Sequence, residues 1–259
     1  MNTELPSSPQ ASADVPPSAG GLFNFRDAAA GTGGPGLRRG LLFRSGALSG
    51  LDAAGLAELA AARIATVVDL REPAEAAAAP DIVPAGTRVL NVPLYRGSIP
   101  VSEPIETVYR LLLRNCAPAL TSAVGEVIRN LDDGVLVHCA AGKDRTGLVI
   151  ALVLDAAGAP RSAIVEDYSR TEAALPDSFR QAVLARLGGL ITDSAEMATA
   201  VRLHLASPHE VLDRALQDVA AESFEGETGA AAYLLRHGLG RDLLDRARIA
   251  LHGTVLPAA

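Results

Sequence analysis

Residues 135–147, VLVHCAAGKDRTG, constrain the fold of this chain more than any other stretch. Val135, Leu136 and Val137 form a short apolar run of the kind that fills a strand buried on both faces. An apolar helical pattern starts near Thr146 and continues through Leu154. A glycine-bearing loop between a buried strand and a helix is the joint of a βα unit, whose strands pair in parallel beneath covering helices. The predicted fold is therefore α/β, a central mostly parallel sheet flanked by helices. In such sheets ligands sit beyond the C-terminal strand ends, where residues 69–71 (DLR) and 139–145 both fall.

That loop carries chemistry as well as topology. Cys139 and Arg145 stand six positions apart on it. A loop closed at those points can turn the N–H groups of Ala140, Ala141, Gly142 and Lys143 inward as an anion cradle. The helix beyond aims its positive end at the same place. A thiol at the base of such a cradle ionises readily, because fixed positive potential favours thiolate. Cys139 is thus the candidate nucleophile, attacking phosphorus to give a cysteinyl-phosphate intermediate. Arg145 offers a planar fork to two phosphate oxygens and to transition-state charge. Thr146 can donate its hydroxyl to the thiolate, or cap the helix, or both. His138 should face away from Cys139, since adjacent strand residues alternate sides, and brace the loop. Gly142 answers to backbone shape.

Departure of an alkoxide or phenolate needs a general acid, and the intermediate then needs a base for water. Asp144 in the loop and Asp69 at a neighbouring strand end are the candidates. Asp69 reads almost equally as a structural partner of Arg44 or Arg71. Lys143 adds a cation suited to polyanions such as phosphoinositide headgroups, against the simpler reading of a solvated loop-tip lysine. Arg44 reads either as a phosphate contact or as half of a salt bridge. Cys116 reads as core.

The remaining composition narrows the class. At 259 residues and 49% hydrophobic content, with no Trp, one large core built of Ala, Leu and Val is expected. A formal charge of −7 argues against nucleic-acid binding. Two cysteines make no disulfide framework and fit a reducing compartment. The first residues lack the pattern of a signal peptide, and residues 148–154 are too short an apolar run to span a membrane. A cytoplasmic protein without an integral membrane segment is expected. The five histidines lack the paired spacing of a zinc helix, so no metal or other cofactor is expected.

Along the chain, residues 1–20 are rich in Pro, Ser and Ala and are expected to stay disordered. Residues 31–36, GTGGPG, read as a flexible loop. Residues 51–62 have helical spacing with Asp52 as cap. Strands are expected at 66–70 and 88–94, the second limited by Pro93. Residues 103–131 read as helix broken near Pro118. Beyond Gly158 the pattern is helical throughout, with amphipathic helices over 176–187 and 194–205.

HCAAGKDRTG resembles the signature of the cysteine-dependent tyrosine phosphatase superfamily, and most closely the bacterial atypical tyrosine and phosphoinositide phosphatases whose loop reads HC-x-x-GKDRTG. Residues 23–27 (FNFRD), 43–46 (FRSG), 69–71 (DLR), 166–171 (EDYSRT) and the C-terminal HGLGRDLLDRARIAL match as well. The resemblance implies a phosphatase domain over residues 21–259, with 172–206 as a helical lid insertion. It favours Asp144 as the acid and implies phosphotyrosine protein substrates, with reach to phosphoserine, phosphothreonine and phosphoinositides. It also admits export by a non-classical route, since some relatives act on host cells. A catalytically weak phosphate-binding module and a sulfur-transfer or arsenate-reducing enzyme are the competing readings. Intact Cys139, Arg145 and Thr146 weigh against the first, and the lack of a redox partner near Cys139 against the second.

Overall fold

The computed structural model describes residues 21–30 and 37–252, so the expectations for 1–20 and 31–36 lie outside the described residues. Five strands make the central sheet: β1 (Arg26–Asp27), β2 (Leu42–Ser45), β3 (Thr66–Asp69), β4 (Arg88–Asn91) and β5 (Val135–His138), in the order β1-β2-β5-β3-β4. All pairings are parallel except β1 against β2. Leu42 and Thr66 both register with Val135, so β2, β3 and β5 end level at Ser45, Asp69 and His138. Three strand ends therefore open onto one place.

Alternation along the strands divides the core in two. Phe43, Val67 and Leu136 face α1 (Ala53–Ala61) and pack with Leu59. Leu42, Val68, Val135 and Val137 face the other side. There they meet α3 (Ile105–Arg114), α4 (Ala117–Arg129) and α5 (Asp144–Ala156). The short α2 (Pro73–Ala78) follows β3. Helix α5 is buried from Arg145 to Leu154, which explains why its sequence is apolar all round. Asp52 caps α1 by accepting from the Gly55 N–H at 2.9 Å, as expected.

The C-terminal part contains α6 (Arg161–Ser169), α7 (Thr171–Ala174), α8 (Asp177–Gly188), α9 (Ser194–Leu205), α10 (His209–Ala220), α11 (Gly229–Arg236) and α12 (Arg241–His252). Helices α10 to α12 join the main core. Helices α8 and α9 instead build a cluster of their own from Phe179, Val183, Leu187, Ala200 and Leu205. That cluster rests on Phe23, Val101 and Ala141, the last of these in the Cys139 loop.

Three expectations need correction. The chain beyond Gly158 is not wholly helical: Ser223–Phe224 and Glu227–Thr228 form a small antiparallel hairpin, β6 and β7. Its turn residues Glu225 and Gly226 take φ of 48° and 80°, the left-handed geometry of a two-residue turn. Strands of two residues are too short to leave a period. The helical break falls at Asn115 and Cys116, with Pro118 inside the first turn of α4, where its missing N–H costs nothing. Strand β4 stops at Asn91, before Pro93, and is an exposed edge.

Candidate active site

The loop between β5 and α5 brings the expected residues to the level strand ends. Cys139 lies at its base, 3% exposed. Burial alone would raise its thiol. The Arg145 guanidinium, the Thr146 hydroxyl and the Thr146 and Lys143 N–H groups outweigh it and hold the thiol below its ordinary value. The Thr146 hydroxyl is itself buried without a well-aligned hydrogen bond, so its dipole acts at short range and its proton stays available to sulfur. Gly142 takes φ of 67°, and a Cβ there would come within 2.0 Å of the Ser45 carbonyl oxygen. No other residue fits the turn.

Arg145 is aimed by two residues that sequence reasoning missed. Glu75 of α2 grips its guanidinium with both oxygens, at 2.6 and 3.0 Å. Burial of the Glu75 carboxyl opposes ionisation, but Arg145 overcomes this and holds its pKa below the usual carboxylate range. The same Glu75 accepts from the Glu72 N–H at 2.8 Å, so it also ties the start of α2. On its other side Arg145 lies against the Tyr95 ring, 5.1 Å from Cζ to the centroid. Both residues sit just past strand ends, β3 for Glu75 and β4 for Tyr95. That position was the available signal.

His138 faces away from Cys139, as the alternation required. Its Nε2 is 3.0 Å from Asp81 and its Nδ1 is 3.2 Å from the Cys139 carbonyl oxygen. Two acceptors on one ring ask for two protons. Burial opposes that charge, but Asp69 and Asp81 prevail and raise the imidazole pKa. Asp69, Asp81 and His138 place ligand-type atoms within 4.8 Å of one another. Arg71 already supplies positive charge there, 2.9 Å from Asp69 and 2.8 Å from Asp81.

Three site expectations change in this light. Asp69, a candidate acid, is 1% exposed and both its oxygens accept from Arg71 on the face shared with His138. Arg44, a candidate phosphate contact, is 1% exposed; it pairs with Asp167 at 2.8 Å and donates to the Gly142 carbonyl. It braces the loop from outside. Lys143 is no loop-tip cation: its ammonium donates to the carbonyls of Leu203 (2.6 Å) and Ala206 (2.7 Å), where α9 ends. Helix C-terminal carbonyls carry partial negative charge, which explains the attraction. Asp144 keeps the placement expected of it, first in α5, with one oxygen buried 3.0 Å from the Lys143 ammonium and its side chain partly open to solvent.

A buried low-pKa cysteine, a clamped arginine and a loop of N–H groups at parallel strand ends define the class: a cysteine-dependent phosphatase. The profile of the tyrosine phosphatase family matches residues 17–252, and the chain belongs to that family. It is accordingly a phosphoric monoester hydrolase of the protein tyrosine phosphatase type. It is 36% identical to the triple specificity protein phosphatase PtpB of Mycobacterium tuberculosis over 194 residues, 60% of this chain and 69% of that one. A tyrosine-protein phosphatase of Nostoc commune is 32% identical over 123 residues, 43% of this chain and 41% of the relative. Among solved structures, TpbA of P. aeruginosa aligns with TM-score 0.33 and 23% identity, over 74% of this chain and 98% of that one. The catalytic core of the PP-IP phosphatase SIW14 of S. cerevisiae aligns with TM-score 0.38 and 15% identity, over 79% and 94%. No helix among the described residues is long and apolar enough to cross a membrane.

Proposed function

We propose that this chain dephosphorylates phosphotyrosine in proteins, with residues 21–259 as the phosphatase domain and residues 172–206 as a lid over the site. Cys139 sulfur attacks phosphorus in line, and the bond from phosphorus to the tyrosine oxygen breaks as Asp144 delivers a proton to that oxygen. Water then attacks the cysteinyl phosphate, giving its proton to Asp144, and the P–S bond breaks to release thiolate and inorganic phosphate. The N–H groups of Ala140, Ala141, Gly142 and Lys143, with Arg145, hold the equatorial oxygens through both steps. Thr146 offers its hydroxyl to the departing thiolate. The observation that carries this reading is the buried Cys139 thiol held below its ordinary pKa by an Arg145 that Glu75 fixes in place.

Reach to phosphoserine, phosphothreonine and phosphoinositides is the second reading, favoured by the kinship with a relative described as triple-specificity. On that reading Lys143 serves a polyanion only once α9 lifts from its ammonium. Two free, buried cysteines favour a reducing compartment such as the cytoplasm.

Cys139→Ser tests the mechanism. Hydrolysis of an aryl phosphate should vanish while inorganic phosphate still binds, and undiminished turnover would sink it. A panel of phosphopeptides, phosphoinositides and small phosphomonoesters at matched concentrations then separates the two readings.

A further inference from the structure

Among the matched segments without a role in this chemistry are residues 23–27 and the Asp167 region. Both converge on the outside of the phosphate loop. Every carbonyl from Cys139 to Gly142 meets a polar nitrogen beyond the loop. The Cys139 carbonyl faces His138 Nδ1 at 3.2 Å, and the Ala140 carbonyl accepts from the Ala47 N–H at 3.0 Å. The Asn24 side-chain amide donates to the carbonyls of Ala141 and Gly142, both at 3.0 Å, and Arg44 Nη2 donates to Gly142 at 2.8 Å. In a planar trans peptide the C=O of one residue and the N–H of the next point opposite ways. Four carbonyls turned out therefore leave the N–H groups of Ala140, Ala141, Gly142 and Lys143 turned in.

Asn24 is built for this place. Its φ of 55° is left-handed, a region that asparagine tolerates better than most residues. Arg26 Nη1 donates to both its amide oxygen and its backbone carbonyl, so the amide NH₂ is left to face the loop. Arg26 is in turn paired with Asp167 through Nε at 2.6 Å, and Asp167 also pairs with Arg44. One carboxylate of α6 thus steers both arms that reach the loop. Burial opposes its charge, but Arg44 and Arg26 hold it below the usual carboxylate range. Burial and the like charge of Arg44 bring Arg26 down to about 10, still protonated at neutral pH.

We infer that Asn24, aimed by Arg26 and Asp167 and seconded by Arg44, is a positioning residue that pins the loop carbonyls outward so that its N–H groups face the phosphate. This rests on the phosphate-loop reading above, while its test requires no turnover.

The test compares the wild type with Asn24→Asp, which is nearly isosteric but presents an acceptor to the two carbonyls, and Asn24→Gly, which keeps the left-handed backbone and deletes the amide. Two readouts apply: the pH midpoint for iodoacetamide alkylation of Cys139, read on its own peptide by mass spectrometry, and the inorganic phosphate concentration that protects it. In both variants the midpoint should rise by about one pH unit and the protecting concentration by about tenfold, while cooperative thermal unfolding persists. Folded variants with both values unchanged would overturn the inference. If Asn24→Asp fails to fold, Asn24→Gly decides by the same readouts. Collapse of both would also overturn it, making Asn24 a requirement of the fold and not of the loop. A wild type with a low thiol midpoint but no hydrolysis would sink the enzymatic reading and leave this one standing.

Discussion

Asp144 and Asp69 are both aspartates near one phosphate loop, yet their surroundings differ. Asp69 has both oxygens held by Arg71 on the far side of the sheet, whereas Asp144 begins α5 beside the loop and keeps a partly open side chain. Asp144→Ala should therefore slow hydrolysis of phenyl phosphate by about 100-fold and that of nitrophenyl phosphate far less, since only the poorer leaving group depends on the proton. Steady-state rates across a leaving-group series check this. Asp69→Asn should lower the melting temperature without steepening that series, and a steeper series would reverse the assignment. Tyr95 supplies an aromatic face to Arg145, so Tyr95→Ala should cost about fivefold in kcat/KM and Tyr95→Phe almost nothing. Cys139, Arg145 and Thr146 were legible because their chemistry is written in one contiguous loop. Glu75 and Asn24 were not, because each acts across the fold and its local sequence describes only a helix start or a turn.

At the level of elements, the hairpin of α8 and α9 has a small core of its own and is fastened to the loop at Ala141 and Lys143. The Lys143 ammonium meets carbonyls at a helix C-terminus, an attraction with a fixed geometry that a neutral side chain lacks. Lys143→Met preserves length and removes the charge. It should raise amide hydrogen exchange across α9 by about fivefold, on the order of 1 kcal/mol of local stability, with α5 unaffected. Unchanged exchange in α9 would mean that apolar packing alone holds the hairpin. The two helices were visible in the sequence through their spacing, whereas the partner of Lys143 was not. Its carbonyls belong to a helix end some sixty residues later, and backbone acceptors leave no mark in side-chain identity.

Across the whole molecule, charges buried around the strand ends set how stability responds to pH. The raised pKa of His138 means that its imidazolium contributes fully below its ordinary value of 6.5 and that this contribution fades as pH rises through the raised one. Asp81, Glu75 and Asp167 are depressed, so their contributions are present above the ordinary carboxylate range and fade as pH falls through the lowered values. The difference in unfolding free energy between wild type and His138→Asn should accordingly shrink as pH rises above 6.5 in urea titrations. A constant difference would show that His138 packs as a neutral ring. Finally, Asn24 reaches its two loop carbonyls across 117 and 118 residues of chain. During synthesis the brace leaves the ribosome long before the loop it must hold, and contacts so remote in sequence form slowly. Refolding should thus recover helical circular dichroism well before Cys139 acquires its fast alkylation, so that competence arrives as a late event in the life of each new chain.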